Sequence, residues 1–324
     1  MMRAEGLMRS CLKTYQTAIF VCILAAVSLA AGAEPMPASK PQPLEPAPEA
    51  ARPAKTIKVA ASIFPVTSIV KEIGDDRVAL TTIVQPGSDP HEFEVTPATA
   101  RAIDEADVVF YIAPSFDGWA IGSEKTGKAS QSFEFAKIFG DSLIRTGRDV
   151  NPHFWLDPLF AKAMGRAVAG ELGRIDPAGK AFFSARADTF SSRIDSLNAR
   201  AKQQIRESGL KDYVGFHPAW TYFARRYGLN ERGVLELTPE QEPSAKRIAG
   251  VLQTMKQYNI KFIFAEEFSN PVMARVMATD SNAKVLILDD LGGATRPGRD
   301  SYFALINYNV TKMVGAMREV NSGR

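Results

Sequence analysis

The chain has 324 residues, of which 45% are hydrophobic and 23% are charged, and its formal net charge at pH 7 is +3. A charge so close to neutrality argues against a nucleic-acid-binding protein, which needs a concentrated basic surface. The two cysteines of the chain, Cys11 and Cys22, both lie near its start. The remainder of the sequence can therefore form neither a disulfide nor a thiolate metal site.

The first 33 residues have the three regions of a secretory signal peptide. Basic side chains within residues 1–13 precede an apolar run over residues 18–27, and the small residues Ala31-Gly32-Ala33 follow. This order is typical of a cleaved signal, and the run is short for a transmembrane helix. We expect cleavage near Ala33 and a periplasmic mature protein, with an uncleaved membrane anchor as the alternative.

Residues 34–55 are rich in proline and alanine, which predicts an extended or disordered tether. About 270 residues follow, enough for one large or two ordinary domains. We predict an N-terminal α/β lobe over residues 56–178, a linking helix over 179–208 and a C-terminal α/β lobe over 209–324.

In the first lobe, apolar runs of strand length alternate with helical patterns. Thr96-Pro97 is typical of a helix start, since proline suits the first helical position, and another helix is predicted to begin near Pro158. Strands are predicted at residues 57–64, 78–84, 107–112 and 133–138, and helices at 64–74 and 96–105.

The last third of the chain repeats this alternation. Strands that alternate with helices indicate βαβ units and mostly parallel sheets. The predicted fold class is therefore α/β, with two Rossmann-like lobes joined by one long rigid helix. The predicted strands of the second lobe are residues 213–216, 233–237, 261–265 and 284–288, and its helices are 219–227, 244–258 and 271–279.

The linking helix is predicted from a stretch without glycine or proline, Lys180 to Ser208. Apolar residues such as Phe183, Ala187 and Phe190 recur at spacings of four and three, which places them on one helical face. Twenty-nine residues at 1.5 Å each span roughly 43 Å. We interpret this helix as a strut between the lobes; a helix packed within one lobe is the alternative.

All three histidines of the chain lie directly next to a proline, at the ends of predicted elements. His91 follows the second strand, His153 precedes the helix near Pro158, and His217 follows the first strand of the second lobe. Neutral imidazole is the commonest metal ligand, and ligands in α/β proteins gather at the carboxyl ends of strands. The hypothesis is that the three meet at one metal ion. Because their separations match no local zinc motif, three unrelated histidines in loops are the alternative.

A fourth ligand is expected from strand ends of the second lobe. Asp289 is the first residue beyond the apolar run 284–288, and Asp290 follows it. Glu266 and Glu267 end the neighbouring strand. Solvated strand ends or helix caps are the alternative interpretation of these acids.

Three segments of the chain contain the histidines within longer motifs. They are Pro-Gly-x-Asp-Pro-His-x-x-Glu-x-Thr-Pro at 86–97, Asn-Pro-His-x-Trp-Leu-Asp-Pro at 151–158, and Phe-His-x-Ala-x-x-Tyr-Phe-Ala-x-Arg-Tyr-Gly-Leu at 216–229. These motifs resemble the metal-binding solute-binding proteins of ABC transporters, the zinc and manganese group known as cluster A-I. The similarity extends from about Ile57 to the C-terminus.

The resemblance implies two α/β lobes joined by a long helix, with the metal between them. It implies His91, His153, His217 and Asp289 as the metal ligands. It also implies a monomer that captures Zn²⁺ and delivers it to an inner-membrane ABC permease with a separate cytoplasmic ATPase. No enzymatic activity and no resident cofactor are expected, the zinc being the transported ligand.

The choice between metals depends on His217. Manganese-preferring members of the cluster often have glutamate at the third position, and nitrogen donors favour zinc. Mn²⁺ or Fe²⁺ transport remains the alternative, because the histidine-rich loop of many zinc members has no counterpart in residues 122–131. We further expect Glu92, Asp157 and Glu266 to orient the histidine rings.

Two other classes of function stay open at this point. Three histidines and a water on zinc also form a hydrolytic site, with Glu92 as the general base. An adhesin is the second, although neither cysteine occupies the position of a lipid-bearing residue after the apolar run.

Overall fold

The protein is described by a computed structural model over residues 56–121, 131–146, 149–236, 243–267, 269 and 271–323. The predicted signal peptide and tether lie outside these residues, as does nearly all of the loop 122–131.

The first lobe is built on a parallel four-stranded sheet with the order β2-β1-β3-β4. Its strands are amphipathic or fully buried, and helices pack against them as expected for βαβ units. The elements are β1 (Ile57–Ala61), α1 (Phe64–Gly74), β2 (Val78–Thr82), α2 (Pro97–Glu105), β3 (Val108–Tyr111), α3 (Pro114–Asp117) and β4 (Gln131–Glu134).

The strand predicted at 133–138 is placed wrongly. The strand ends at Glu134, and Ala136–Ile138 form a 3₁₀ turn. The backbone N–H groups of Phe135 and Ala136 still donate to carbonyls beside β3. The chain then turns, and the fully buried Phe135 enters the core.

The segment between the two sheets carries a small hairpin and two long helices. They are β5 (Arg145–Thr146), β6 (Asp149–Val150), α4 (Pro158–Ile175) and α5 (Lys180–Ser208). The bounds predicted for the long helix are confirmed. It ends where Gly209 adopts the left-handed conformation (φ 77°) that commonly caps a helix.

The second sheet is also parallel and has the order β10-β9-β7-β8. Its last helix, α9, is not among the helices predicted from the sequence. The elements are β7 (Asp212–Gly215), α6 (Thr221–Tyr227), β8 (Asn230–Val234), α7 (Ala245–Gln257), β9 (Phe262–Glu266), α8 (Pro271–Ser281), β10 (Lys284–Leu288) and α9 (Tyr302–Asn321).

The strand predicted at 233–237 lies three residues earlier, as β8. This strand forms an edge of the second sheet, where polar side chains such as Asn230, Glu231 and Arg232 are tolerated because one side is solvated. An apolar pattern therefore marks only its end. Leu237 lies outside the described residues.

Helix α5 packs against α1 of the first lobe and against α9 of the second, which confirms the strut interpretation. It also lies along α4, where Gly165 allows a close approach: a Cβ there would lie 2.7 Å from a ring carbon of Phe190. One contiguous core includes Phe110 of the first sheet and Phe264 of the second. The lobes are thus joined by packed apolar surface as well as by a helix.

Hydrogen bonds also join the lobes beside the site. The indole of Trp155 donates to the carbonyl of Asp290 at 2.7 Å, and the Tyr302 hydroxyl donates to the carbonyl of Trp155 at 2.7 Å. The Asn151 amide donates to the carbonyl of Pro218 at 2.7 Å. These buried groups need partners, so the segment that bears His153 is held against the second lobe. Among the described helices, none has the length and apolarity required to cross a bilayer.

Candidate metal centre

The structure brings the three histidines together. His91 lies in a turn segment after β2, His153 begins a 3₁₀ turn before α4, and His217 precedes a 3₁₀ turn after β7. Among the described residues, these three have ring nitrogens that all lie within 4.8 Å of one another. The first lobe and the segment before α4 therefore supply two imidazoles, and the second lobe supplies one.

Two of the distances between ring nitrogens match those of a zinc site. Nε2 of His153 lies 3.3 Å from Nε2 of His91 and 3.2 Å from Nε2 of His217. Tetrahedral zinc with Zn–N bonds of about 2.0–2.1 Å requires ligand nitrogens about 3.3–3.4 Å apart. His153 therefore lies at zinc-ligand spacing from both other rings, and all three rings are close enough to share one zinc ion.

Buried hydrogen-bond partners fix two of the rings. His217 Nδ1 lies 2.7 Å from Glu266 Oε2, and Glu266 also accepts hydrogen bonds from Trp220 Nε1 and Ser269 Oγ. His153 Nδ1 lies 2.9 Å from Asn151 Oδ1. Such partners occupy Nδ1 and leave Nε2 free for a metal.

The prediction that Glu266 orients a ring is confirmed, whereas the same prediction for Asp157 is wrong. The Asp157 carboxylate binds Arg226 and caps α4 through the N–H of Leu159. The sequence motifs do not predict a role for Asn151, although its position two residues before His153 is a signal. Such a spacing lets a side chain bond to the histidine backbone and ring at once.

The ring of His91 is held by other contacts. Its backbone N–H donates to Asp89 Oδ1 at 2.8 Å, and its ring packs edge-on against Phe116 with centroids 4.9 Å apart. Glu92, also predicted to orient a ring, lines the cavity beside it.

Electrostatics keep two of the three imidazoles neutral. Burial, together with the positive charge of His217, lowers the pKa of His91 to about 4. Burial and the two other histidines lower the pKa of His153 well below its ordinary value. Burial alone would lower the pKa of His217, but the carboxylate of Glu266 outweighs it and raises this pKa to about 9. A dication can therefore replace a single proton at the cluster.

The cavity next to the rings is acidic. It has a volume of about 240 Å³, and two buried carboxylates, Glu266 and Asp290, face it. Burial and the neighbouring charge of Glu266 raise the pKa of Asp290 to about 7. A cation entering this cavity meets negative charge at its wall.

Asp289 has a different environment. Its Oδ1 accepts the backbone N–H groups of Leu291 and Gly292, at 3.0 and 2.8 Å. Its Oδ2 accepts from Arg299 at 2.9 Å and from Arg296 at 3.4 Å. Asp289 as a metal ligand stays a prediction, and in this geometry both of its oxygens have protein partners.

Comparison with known proteins places these features in a family. The sequence model of the family described as zinc-uptake complex component A, periplasmic (ZnuA), matches residues 59–316. The chain is 25% identical over 283 residues to zinc-binding protein AdcA of Streptococcus pyogenes serotype M6, covering 78% of this chain and 55% of AdcA. It thus spans about half the length of that relative.

Two further relatives are matched over most of their length. The high-affinity zinc uptake system protein ZnuA of Bacillus subtilis is 23% identical over 266 residues, covering 78% of this chain and 83% of the relative. The laminin-binding protein Lmb of Streptococcus agalactiae, described as bifunctional with adhesin and metal transporting activity, is 30% identical with a TM-score of 0.72. That match covers 81% of this chain and 99% of Lmb. The chain belongs to the ZnuA family, the family of zinc-uptake complex component A.

Proposed function

We propose that the chain is the zinc-binding component of an ABC transporter. In this proposal His91, His153 and His217 capture Zn²⁺ between the lobes, and the protein delivers it to a permease. The spacing of the three Nε2 atoms, 3.2 and 3.3 Å from the central ring, carries the proposal because it suits tetrahedral zinc. The names of the family and of its zinc-binding relatives support it.

The donor set favours zinc over manganese or iron. Imidazole nitrogens suit zinc, whereas manganese prefers carboxylate and carbonyl oxygens. The partners of His217 Nδ1 and His153 Nδ1 direct both Nε2 atoms to one point, which leaves one position of a tetrahedron for an oxygen donor.

We propose that this oxygen comes from the segment Asp289–Asp290. Asp290 lines the cavity together with His91 and His217. Asp289, the residue implied by the resemblance, would first have to leave Arg299 and two backbone N–H groups. The structure thus favours Asp290, and a pair of asparagine variants decides between them.

A filled coordination sphere suits a carrier rather than a catalyst. Zinc binding displaces the proton of His217, and the negative wall formed by Glu266 and Asp290 balances the charge of the ion.

The proposal also covers the mature protein and its partners. The mature protein is a periplasmic monomer cleaved near Ala33, with the tether and domain division expected from the sequence. Its partners are an inner-membrane permease and the ATPase of that permease.

Two other activities, zinc-dependent hydrolysis and adhesion, are tested in the same experiment. A zinc hydrolase would need a coordination position open to water, which a carboxylate ligand removes. An adhesin would bind a host matrix protein, as the description of Lmb states for that relative.

The test is calorimetric titration of the metal-stripped mature chain with Zn²⁺, Mn²⁺ and Fe²⁺ at pH 7.5. We expect one zinc ion to bind, manganese and iron to bind more weakly, and His217→Ala to lose most of the zinc affinity. Tighter manganese or iron would move the chain to another transport role. Absence of specific binding in a folded wild-type protein would overturn the proposal. Laminin binding and ester hydrolysis by the zinc-loaded protein test the two other activities.

A further inference from the structure

Two adjacent strands of the second sheet each end in a pair of acids. Glu266 is the last residue of β9 and Glu267 follows it, and Asp289 and Asp290 follow β10, whose Leu288 is in register with Glu266. Continuing that register places Asp289 beside Glu267. Within each pair the two acids have different partners: Glu266 and Asp290 line the histidine cavity, whereas the other two bind arginine.

Two arginines of the loop after β10 hold the second set of acids. Arg299 Nη1 lies 2.9 Å from Asp289 Oδ2 and 2.7 Å from Glu267 Oε1. Arg296 Nη1 forms an ion pair with Glu267 Oε2 and lies 3.4 Å from Asp289 Oδ2. Both arginine side chains are 19% exposed and that of Asp289 is 4% exposed, so these pairs are less screened than surface pairs.

Asp289 is also fixed through its backbone. Its N–H donates to Asn309 Oδ1 at 2.9 Å, and its carbonyl accepts from Asn309 Nδ2 at 2.6 Å. With Oδ1 bonded to backbone N–H groups and Oδ2 to arginine, each of its polar groups has a partner. Turning this carboxylate toward the histidines would break several hydrogen bonds in a buried place, each of which is costly to leave unmade.

The loop that carries the arginines reaches the first lobe near His91. A Cβ at Gly293 would lie 3.0 Å from Pro86, and one at Gly292 would lie 3.3 Å from Phe64. Pro86 begins the segment that leads to His91. The loop that bears the two arginines therefore packs against the segment that leads to His91.

Resting on the zinc function proposed above, we infer that Arg296 and Arg299 withhold Asp289 and Glu267 from the metal site and thereby set its preference for zinc over manganese. The sheet end offers four carboxylates within two residue pairs. A site that gained the two withheld ones would be richer in oxygen donors and could exceed four-coordination, which suits manganese better than zinc. Arg296 and Arg299 are positioning residues, since they act through the acids that they bind.

The ratio of the two affinities isolates this effect. Removing two positive charges strengthens the attraction of any dication, but Zn²⁺ and Mn²⁺ carry the same charge, so a general electrostatic gain cancels in the ratio. A loss of folding stability likewise lowers the apparent affinities for both metals and cancels in the ratio. Extra oxygen donors change the ratio itself.

The experiment compares four proteins by competition with a chromophoric chelator: the wild type, Arg296→Gln/Arg299→Gln, the same pair with Glu267→Gln and Asp289→Asn added, and a control. The control is Arg193→Gln/Arg232→Gln, which removes two ion pairs, with Glu72 and Asp212. We expect the zinc-over-manganese ratio to fall about tenfold or more in the first variant, because freed carboxylates favour manganese. It should return to within about threefold of wild type in the fourfold variant, where those carboxylates are amides. The control should keep the wild-type ratio.

A spectroscopic signature accompanies the ratio. Co²⁺ in the wild type should show the intense visible absorption of a four-coordinate ion, which weakens in Arg296→Gln/Arg299→Gln as donors are added. If that variant does not fold, Arg296→Gln alone must show a partial fall of the ratio.

An unchanged ratio in a folded variant would overturn the inference, as would a fall that the fourfold variant does not reverse. The wild-type arm separates the two failures. A wild type that binds zinc while the ratio is insensitive to the arginines leaves the proposed function standing and removes this inference. A wild type that binds no zinc removes both.

Discussion

His217 Nδ1 and Glu266 Oε2 lie 2.7 Å apart, and both side chains are largely buried. The carboxylate raises the pKa of the imidazole to about 9 although burial opposes this shift. The pair thus keeps a proton on His217 at neutral pH and aims its Nε2 at His153. A metal must displace that proton, and after it does so the same carboxylate orients the bound ring.

The first prediction concerns Glu266. Glu266→Gln removes the charge that orients and supports His217, so we expect zinc affinity to fall about 10- to 100-fold, as is usual for such partners. Calorimetric or chelator competition at pH 7.5 measures this. Glu207→Gln, on the exposed face of α5, is the matched control and should bind like the wild type. Equal affinity of the two variants would contradict an orienting role.

The second prediction is proton release on zinc binding. Because the pKa of His217 is raised to about 9 while those of His91 and His153 are lowered, the metal-free cluster holds about one proton at pH 7.5. Titration in buffers with different ionisation enthalpies should therefore report release of nearly one proton per zinc. Release of none, or of two, would refute this distribution of charge.

The pH dependence of metal-free stability follows from the same shifts. The raised pKa of His217 stabilises the folded state fully below about pH 6.5, and this contribution is lost as the pH rises through about 9. Because the pKa of His91 is lowered in the folded state, this histidine is protonated at a higher pH in the unfolded chain than in the folded protein. The free energy of unfolding therefore also falls as the pH drops from about 6.5 to 4. Thermal melting of metal-free protein should show the greatest histidine-linked stability near pH 6.5, with a decline toward pH 4 on one side and toward pH 9 on the other. A steady increase up to pH 10 would disagree with this.

Substitution of Asp289 and of Asp290 by asparagine should have different effects on zinc affinity and on folding stability. Asp290→Asn removes the carboxylate that faces the cavity, and we expect a fall of about tenfold in zinc affinity with little change in melting temperature. Asp289→Asn removes the buried charge that pairs with Arg299 and leaves this arginine with Glu267 alone, so it should cost about 2–3 kcal/mol of stability. Chelator competition and chemical denaturation are run on both variants. The reverse pattern, with the large affinity loss in Asp289→Asn, would establish Asp289 as the ligand.

The contact between α4 and α5 gives a stability prediction independent of metal. Gly165→Ala places a methyl group 2.7 Å from the Phe190 ring and should destabilise the protein by about 1–3 kcal/mol. Gly170→Ala, on the same helix, meets no atom within 4 Å and should stabilise it by up to about 1 kcal/mol, the usual helix propensity gain. Urea denaturation of metal-free protein measures both. Equal effects would contradict the close approach of the two helices.

Local patterns were enough to predict much of this fold. The bounds of α5 follow from a stretch without glycine or proline and from its apolar period, because both properties act over one helical turn. The parallel sheets follow from the alternation of strand and helix patterns. The bounds of edge strand β8 were predicted wrongly, because a strand with one solvated side need not be apolar along its whole length.

The residues that carry the chemistry can be read from local sequence: three histidines at chain turns, and two pairs of acids at strand ends. Which of these residues meet depends on the packing of the folded chain. The histidines are separated by more than 60 residues, so their convergence depends on how the two lobes pack. Neighbouring acids such as Asp289 and Asp290 have identical local chemistry, yet one binds Arg299 and the other faces the histidine cavity. That difference arises because successive residues leave a strand end in different directions, toward partners that are distant in sequence.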